Sequence, residues 1–136
     1  MKNGLLYFLL CLAALVSSCD GTNTRYHIGV SQCSDDEWRH KMNKEMQREA
    51  LFYDGVEIRT AKDNNQYQIN DINYFIDRKV DLLIVAPNEA AVITPSVEKA
   101  IKKGIPVVVV DRKILSDNYT AFVGADNYKI GSDVGH

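Results

Sequence analysis

Long hydrophobic stretches are scarce in this 136-residue chain, and no run reaches the roughly 20 residues that crossing a bilayer takes. Basic blocks are missing as well: the net charge is −2 and the 16 lysines and arginines are scattered, so the footprint of a nucleic-acid binder is absent. Cysteine is sparse, and Cys11, Cys19 and Cys33 have no metal-ligand spacing with His27, His40 or His136. That pattern points to no metal. Neither a G-x-x-x-x-G-K-[ST] loop nor a G-x-G-x-x-G after the first expected strand occurs, which weakens any nucleotide reading. No G-x-S-x-G elbow is present, and with it goes a Ser-His-Asp arrangement. No cofactor is indicated. Internal repeats and low-complexity tracts are also lacking.

What remains is a chain of one-domain length whose hydrophobic fraction of 46% suffices for a core. Met1-Lys2-Asn3 is a short basic start, and Gly4 to Val16 is almost wholly apolar, the pattern of an export signal's h-region. Leu15-Val16-Ser17-Ser18-Cys19 resembles a bacterial lipobox, in which cleavage before the cysteine accompanies lipidation of its thiol. An ordinary signal peptide with a chance cysteine, or an uncleaved anchor, would read similarly. The expected division is a signal peptide with possible lipidation at Cys19 over 1–19, a polar linker over 20–25 and one folded lobe over 26–136. The protein is expected on the periplasmic side of the cell envelope, held to the membrane by its N-terminal anchor or lipid. Cys33 then has no obvious partner, and a buried free thiol is its expected state.

The lobe is organised around Val80 to Arg112. Val80–Ala86 and Ile105–Val110 are nearly unbroken apolar runs, as in strands buried on both faces of a parallel sheet. Thr94-Pro95 predicts the start of the helix between them, with Thr94 as cap. Lys102, Lys103 and Gly104 predict its end. Upstream, Tyr26–Ser31 reads as a first strand. Ser34-Asp35-Asp36-Glu37 reads as a capping box with Ser34 at the cap and Glu37 reaching back. Trp38, Met42, Met46 and Ala50 form the apolar stripe of the helix that follows. Val56–Ala61 reads as an edge strand, and Ile69, Ile72, Phe75 and Ile76 mark a second helix. After a loop at Ser116–Asn118, Ala121–Ala125 predicts a fifth strand, and Asp126-Asn127 caps a last helix from Tyr128. Asn118-Tyr119-Thr120 matches a glycosylation acceptor but reads as a surface loop. The resulting α/β order, β-α-β-α-β-α-β-β-α, predicts a doubly wound parallel sheet with the first strand central.

Ligands of such sheets bind outside the carboxyl ends of the strands. Ser34, Asp35, Asp36 and Trp38, Lys62 and Asp63, Asn88 and Glu89, Asp111 and Arg112, and Asp126 and Asn127 all fall just past expected strands. Carboxylates, amides and a guanidinium suit neighbouring hydroxyls, each of which donates and accepts. An indole suits the apolar C–H face of a sugar ring. Each residue has a plainer alternative: an exposed ion pair for Asp111-Arg112, a core position for Trp38, and helix capping for the acidic groups.

As a set, IGVS with its polar turn, VDLLIVAP, KKGIPVVVVDR and FVGADNYKIG resemble the N-terminal lobe of type I periplasmic binding proteins of the ribose-binding and lactose-repressor kind. The resemblance covers nearly all of the chain from Tyr26 onward. It implies that Asp35 stands where an asparagine often holds hydroxyls, Trp38 where a phenylalanine stacks, and Asp111 with Arg112 where a pair grips ring hydroxyls. Glu37 and Asp36 depart from the aromatic and proline common in that turn. IGVSQCSDDEWRHKMNKEM is similar to the start of sugar-sensing domains of hybrid two-component regulators from Bacteroidetes. The resemblance implies a monosaccharide ligand of ribose or fructose type, a second lobe beyond His136 that is missing here, and closure of the two lobes as the signal to a membrane-spanning histidine kinase. An ABC-transporter receptor delivering to a permease is the alternative. An exported enzyme using Asp35, Glu37 or Asp111 as acid and base is a further hypothesis. A DNA-binding repressor is disfavoured because an export signal stands where its DNA-binding helices would be.

Overall fold

The computed structural model describes residues 26–51 and 55–135. The expected leader, Cys19 and the linker lie outside them. Five strands and four helices follow in the order β1 (Ile28–Gln32), α1 (Glu37–Ala50), β2 (Val56–Thr60), α2 (Asn65–Asp77), β3 (Leu82–Val85), α3 (Ala90–Lys102), β4 (Val107–Val110), β5 (Ala121–Val123) and α4 (Asn127–Val134). The sheet order is β2-β1-β3-β4-β5, and every pairing is parallel. β1 therefore lies inside the sheet with β2 at the edge, as the sequence predicts. Among the described residues no helix is long and apolar enough to cross a membrane.

Pleating sends alternate residues of β1 to opposite faces. Gly29 faces α2, where an added Cβ would stand 2.6 Å from the Phe75 ring. Gln32 faces the other way, and its Nε2 donates to Asn43 Oδ1 of α1 at 2.7 Å. Helices thus occupy both faces, as in a doubly wound sheet. The faces are unequally sealed. Leu83, Val85, Val107 and Val109 are fully buried under α2 and α3 with Ile72, Phe75, Ile93 and Val97. Each such side chain contributes roughly 1.5–3 kcal/mol on leaving water. Their neighbours Leu82, Ile84, Val108 and Val110 point to the α1 face and are only half-buried. The apolar runs predict strands closed on both sides, and the α1 side departs from that. α1 leans over β1 and β2, and α4 is exposed from Tyr128 to Val134, with Tyr128 at 89% and Val134 at 82%.

Two helix starts differ from expectation. α1 is capped by Asp36, whose Oδ1 accepts from the Arg39 amide at 2.9 Å. Ser34 lies two residues too early to cap this helix; its hydroxyl donates to Asp36 Oδ2 at 2.6 Å. α3 begins at Ala90, well before Thr94, and holds Pro95 in its interior. Pro95 has no N–H for the Ala91 carbonyl, and Ala91 is exposed, so water can serve that oxygen. Thr94 bridges instead: its Oγ1 donates to Ala90 O at 2.6 Å and accepts from the Leu115 amide at 2.9 Å. That contact pins the helix-free crossover from β4 to β5, which also buries Ile114 in the core.

The close approach of Phe75 to Gly29 yields a stability test. Gly29→Ala should overpack this contact and lower stability by about 1–3 kcal/mol. The readout is a lower urea midpoint with an unchanged slope. Gly131→Ala, whose Cβ would meet nothing within 4 Å, should leave the midpoint unchanged or raise it slightly.

Candidate functional site

Parallel pairing brings the carboxyl ends of β1, β2, β3 and β4 to one edge, where backbone bonds stitch the tip of β1 to those of β2 and β3. Ala61 N donates to Gln32 O and Asp63 N to Cys33 O, both at 2.8 Å, and Ala86 N donates to Ser31 O at 3.0 Å. Three of the four non-glycine residues with positive φ among those described lie on these tips: Lys62 at 51°, Asp63 at 60° and Asp111 at 67°. Left-handed backbone outside glycine is sparsely populated and collects where surrounding structure imposes it, commonly at functional sites.

Asp111 is held from two sides. Its amide donates to Val123 O at 2.8 Å, and its Oδ2 accepts from Arg39 Nη2 at 2.5 Å. Arg39 is only 4% exposed although it sits in the first turn of α1. The apolar stripe predicted as Trp38, Met42, Met46 and Ala50 holds from Met42 onward, but at its amino end Arg39 takes the inward position in place of Trp38, with Asn43, Met46 and Ala50 following on the same side. Trp38 is 58% exposed, and the Arg39 guanidinium lies 4.7 Å from its ring centroid. Arg39 thus touches both the indole and the carboxylate that the sequence singles out, yet the sequence reasoning passes over it. A charged residue at the 39-43-46-50 spacing is the signal that could have found it.

Arg112 is largely exposed. Its Nη1 donates to Asn88 O at 3.0 Å, while its Nε stands 3.9 Å from Asp111 Oδ2. The ion pair expected within Asp111-Arg112 is therefore mainly an Asp111–Arg39 pair. Asn88 is braced by Gln68, a fully buried side chain that strand-end position does not pick out. Gln68 Nε2 donates to Ala86 O and its Oε1 accepts from the Asn88 amide, both at 2.8 Å. The Asn88 side chain donates to Asn65 Oδ1 at 2.7 Å and to Asp63 O at 3.3 Å. It ties the β2 and β3 tips together, and its carbonyl steadies Arg112.

Asp35 is exposed, with Oδ1 3.4 Å from His40 Nε2. Ser34 and Asp36 bond to each other and to α1, as described above. Asp126 caps α4 through the Lys129 amide at 3.0 Å, and Asn127 is the first residue of that helix. Asp111, Arg112 and Asp126 line a common hollow of about 630 Å³ with Lys113, Phe122, Gly124 and Ala125. Another hollow, of about 470 Å³, lies at the opposite, amino-terminal edge of β3 and β4, between Lys79 and Lys103. It is remote from the tips. Among the described residues no group of three or more His, Cys, Asp or Glu could hold a metal ion.

A family model described as periplasmic binding protein domain matches residues 28–136. The chain belongs to that family. This periplasmic binding protein domain is 64% identical to the solved fructose-binding periplasmic domain of a hybrid two-component system, with a TM-score of 0.77 over 81% of this chain and 37% of that one. It is 23% identical over 131 residues to the D-xylose-binding periplasmic protein of Haemophilus influenzae, covering 96% of this chain and 40% of that protein. It is also 33% identical over 76 residues to the ribose import binding protein of Bacillus subtilis, covering 56% of this chain and 25% of that protein. The domain described here is thus a single lobe spanning well under half of these relatives.

The cap at Asp36 has a pH signature. The Ser34 hydroxyl, and after it the Arg39 amide, hold the Asp36 carboxyl below the usual carboxylate range. A depressed folded value means that the cap's contribution is complete above the ordinary aspartate value and is lost as pH falls through the depressed one. Ser34→Ala should therefore raise the pH at which the Arg39 amide loses protection, measured by hydrogen exchange corrected for intrinsic rates. An unmoved midpoint would count against the Ser34 assignment.

Proposed function

We propose that this domain is one wall of an extracytoplasmic receptor for a monosaccharide of the fructose or ribose class, and that closure of a second wall over the sugar signals to a histidine kinase. The observation that carries the proposal is the joint presence, at one sheet edge, of an exposed indole, a backbone-fixed carboxylate and a largely free guanidinium. The 64% identity to a fructose-binding domain of a hybrid two-component system supports the choice of ligand and of output. In this reading the Asp111 carboxylate accepts from one ring hydroxyl, Arg112 donates to its neighbour, and Trp38 packs on the C–H face of the ring. Asn88 and Gln68 hold Arg112 in place, and Asp35 and Asp126 border the site. An epimer that leaves one of these groups unpaired is penalised by about 1–3 kcal/mol, which sets the selectivity.

The similarity to a ribose import binding protein favours a second reading, a solute receptor that delivers sugar to an ABC permease. In it, lipidation at Cys19 would hold the receptor at the membrane. The full-length protein distinguishes the two: a membrane span and a histidine kinase belong only to the sensor. Neither reading requires catalysis by this lobe.

Calorimetric titration of the full-length protein with D-fructose, D-ribose, D-xylose and D-glucose tests the ligand. One of these is expected to bind. Asp111→Ala and Arg112→Ala should each weaken that binding by roughly ten- to a hundredfold, as expected for a lost charge-assisted hydrogen bond of about 1.5–3 kcal/mol. Unchanged affinity in both variants would refute the site.

A further inference from the structure

Arg39, in the first turn of α1, is a charged group packed against the strand tips for which sugar recognition supplies no direct role. It is buried to 4% exposure and cannot meet a ligand itself. One prong of its fork, Nη2, is committed to Asp111; the other, Nη1, is buried and has no hydrogen-bond partner. Burying an arginine with a donor unpaired is costly, so its retention there calls for a reason in what it holds.

We propose that Arg39 is a positioning residue that keeps the Asp111–Arg112 pair open for ligand. Asp111 lies between two guanidiniums, 2.5 Å from Arg39 and 3.9 Å from the Nε of Arg112. By engaging Oδ2 from inside, Arg39 leaves the other carboxylate oxygen as an acceptor and leaves Arg112 tethered mainly by the Asn88 carbonyl. Adjacent residues then present one acceptor and one donor, the complement of two vicinal hydroxyls. Without Arg39, the carboxylate turns to Arg112 and the two satisfy each other, so a sugar must first break an ion pair. Arg39 also supports the Asp111 backbone, whose left-handed φ of 67° needs an external hold. The proposal rests on the sugar-binding reading of the same site.

The test uses Arg39→Met and Arg39→Lys in the full-length protein, each with and without Asp111→Asn. Titration is with D-fructose or whichever sugar of the panel binds the unaltered protein. Arg39→Met is expected to weaken binding at least tenfold, and Arg39→Lys, which keeps the charge with poorer geometry, to recover part of that loss. In the Asp111→Asn background the effect of Arg39→Met should shrink below threefold, because Arg39 acts through Asp111. Unchanged affinity in Arg39→Met, or losses that simply multiply in the double variant, overturns the proposal. If Arg39→Met does not fold, Arg39→Lys alone decides the question by the same comparison. Hydrogen exchange at the Asp111 amide gives a readout without sugar. It should quicken at least tenfold in Arg39→Lys and stay unchanged in Arg112→Met. If the unaltered protein binds no sugar of the panel, the functional reading fails, and the exchange result alone decides whether Arg39 positions Asp111.

Discussion

Same-direction pairing of β1 with β2 on one side and β3 on the other is the constraint from which the rest follows. Parallel strands cannot be joined by tight hairpins, so each connection must travel back across a face of the sheet. Helices serve for three of these returns, and a helix-free crossover pinned by Thr94 serves for the fourth. Every strand then delivers its last residue to the same edge, where no further strand bond can form. Backbone groups freed at those tips are satisfied tip to tip, and by Gln68 reaching in from α2. A rigid rim results, with left-handed φ angles at Lys62, Asp63 and Asp111 imposed by the strands beneath. The polar side chains on that rim inherit its precision.

Much of this is legible in the sequence because it depends on periodicity. The Val- and Ile-rich runs mark β3 and β4, and the edge character of Val56–Thr60 puts β1 inside the sheet. Asp111, Arg112 and Asp126 can be brought together from strand-end position alone. What cannot be read depends on competition between neighbouring residues. Ser34 and Asp36 are both good caps, and a choice between them needs the angle at which the chain leaves β1. Thr94-Pro95 is a strong helix start taken locally. Ala91, whose carbonyl has no N–H partner at Pro95, is an exposed residue, so the helix can begin a full turn earlier. Trp38 and Arg39 compete for one inward position, and hydrophobicity favours the indole. The carboxylate contact at Asp111 favours the guanidinium, and that contact lies 72 residues away in sequence. Long-range charge pairing is invisible to a helical wheel.

The two faces of the sheet divide the labour. Under α2 and α3 the packing is closed, with Phe75 against Gly29 and no tolerance for an added methyl. That face fixes where β1, β3 and β4 end. On the α1 face, Ile84, Val108 and Val110 are half-exposed, and Ile28, Met46 and Val56 border an apolar groove. Polar groups inserted there, Gln32 and Asn43, bond to each other. The stability of the lobe is therefore concentrated in one layer, while the helix that carries Trp38 and Arg39 rests on the looser one. Fixing α1 at its amino end through Asp36 and Arg39 compensates for that. The cap sets the first turn, and the ion pair to Asp111 ties that turn to the tip of β4.

A rim of this kind, open to solvent, cannot by itself bind a sugar tightly. Arg112 is 58% exposed, and a hydroxyl that replaces water on an exposed guanidinium gains little, because the exchange leaves the number of hydrogen bonds nearly unchanged. The same contacts strengthen once water is excluded and the local dielectric falls. On the proposed reading, affinity and signal then have one origin. The free energy gained by covering Asp111, Arg112 and the sugar with a second wall is the differential affinity that shifts the receptor from open to closed. The more firmly Asp111 and Trp38 are held before the sugar arrives, the less of that gain goes into ordering them. Positioning at the base of the site and responsiveness at its mouth are on this account the same property, expressed at the two ends of one carboxylate.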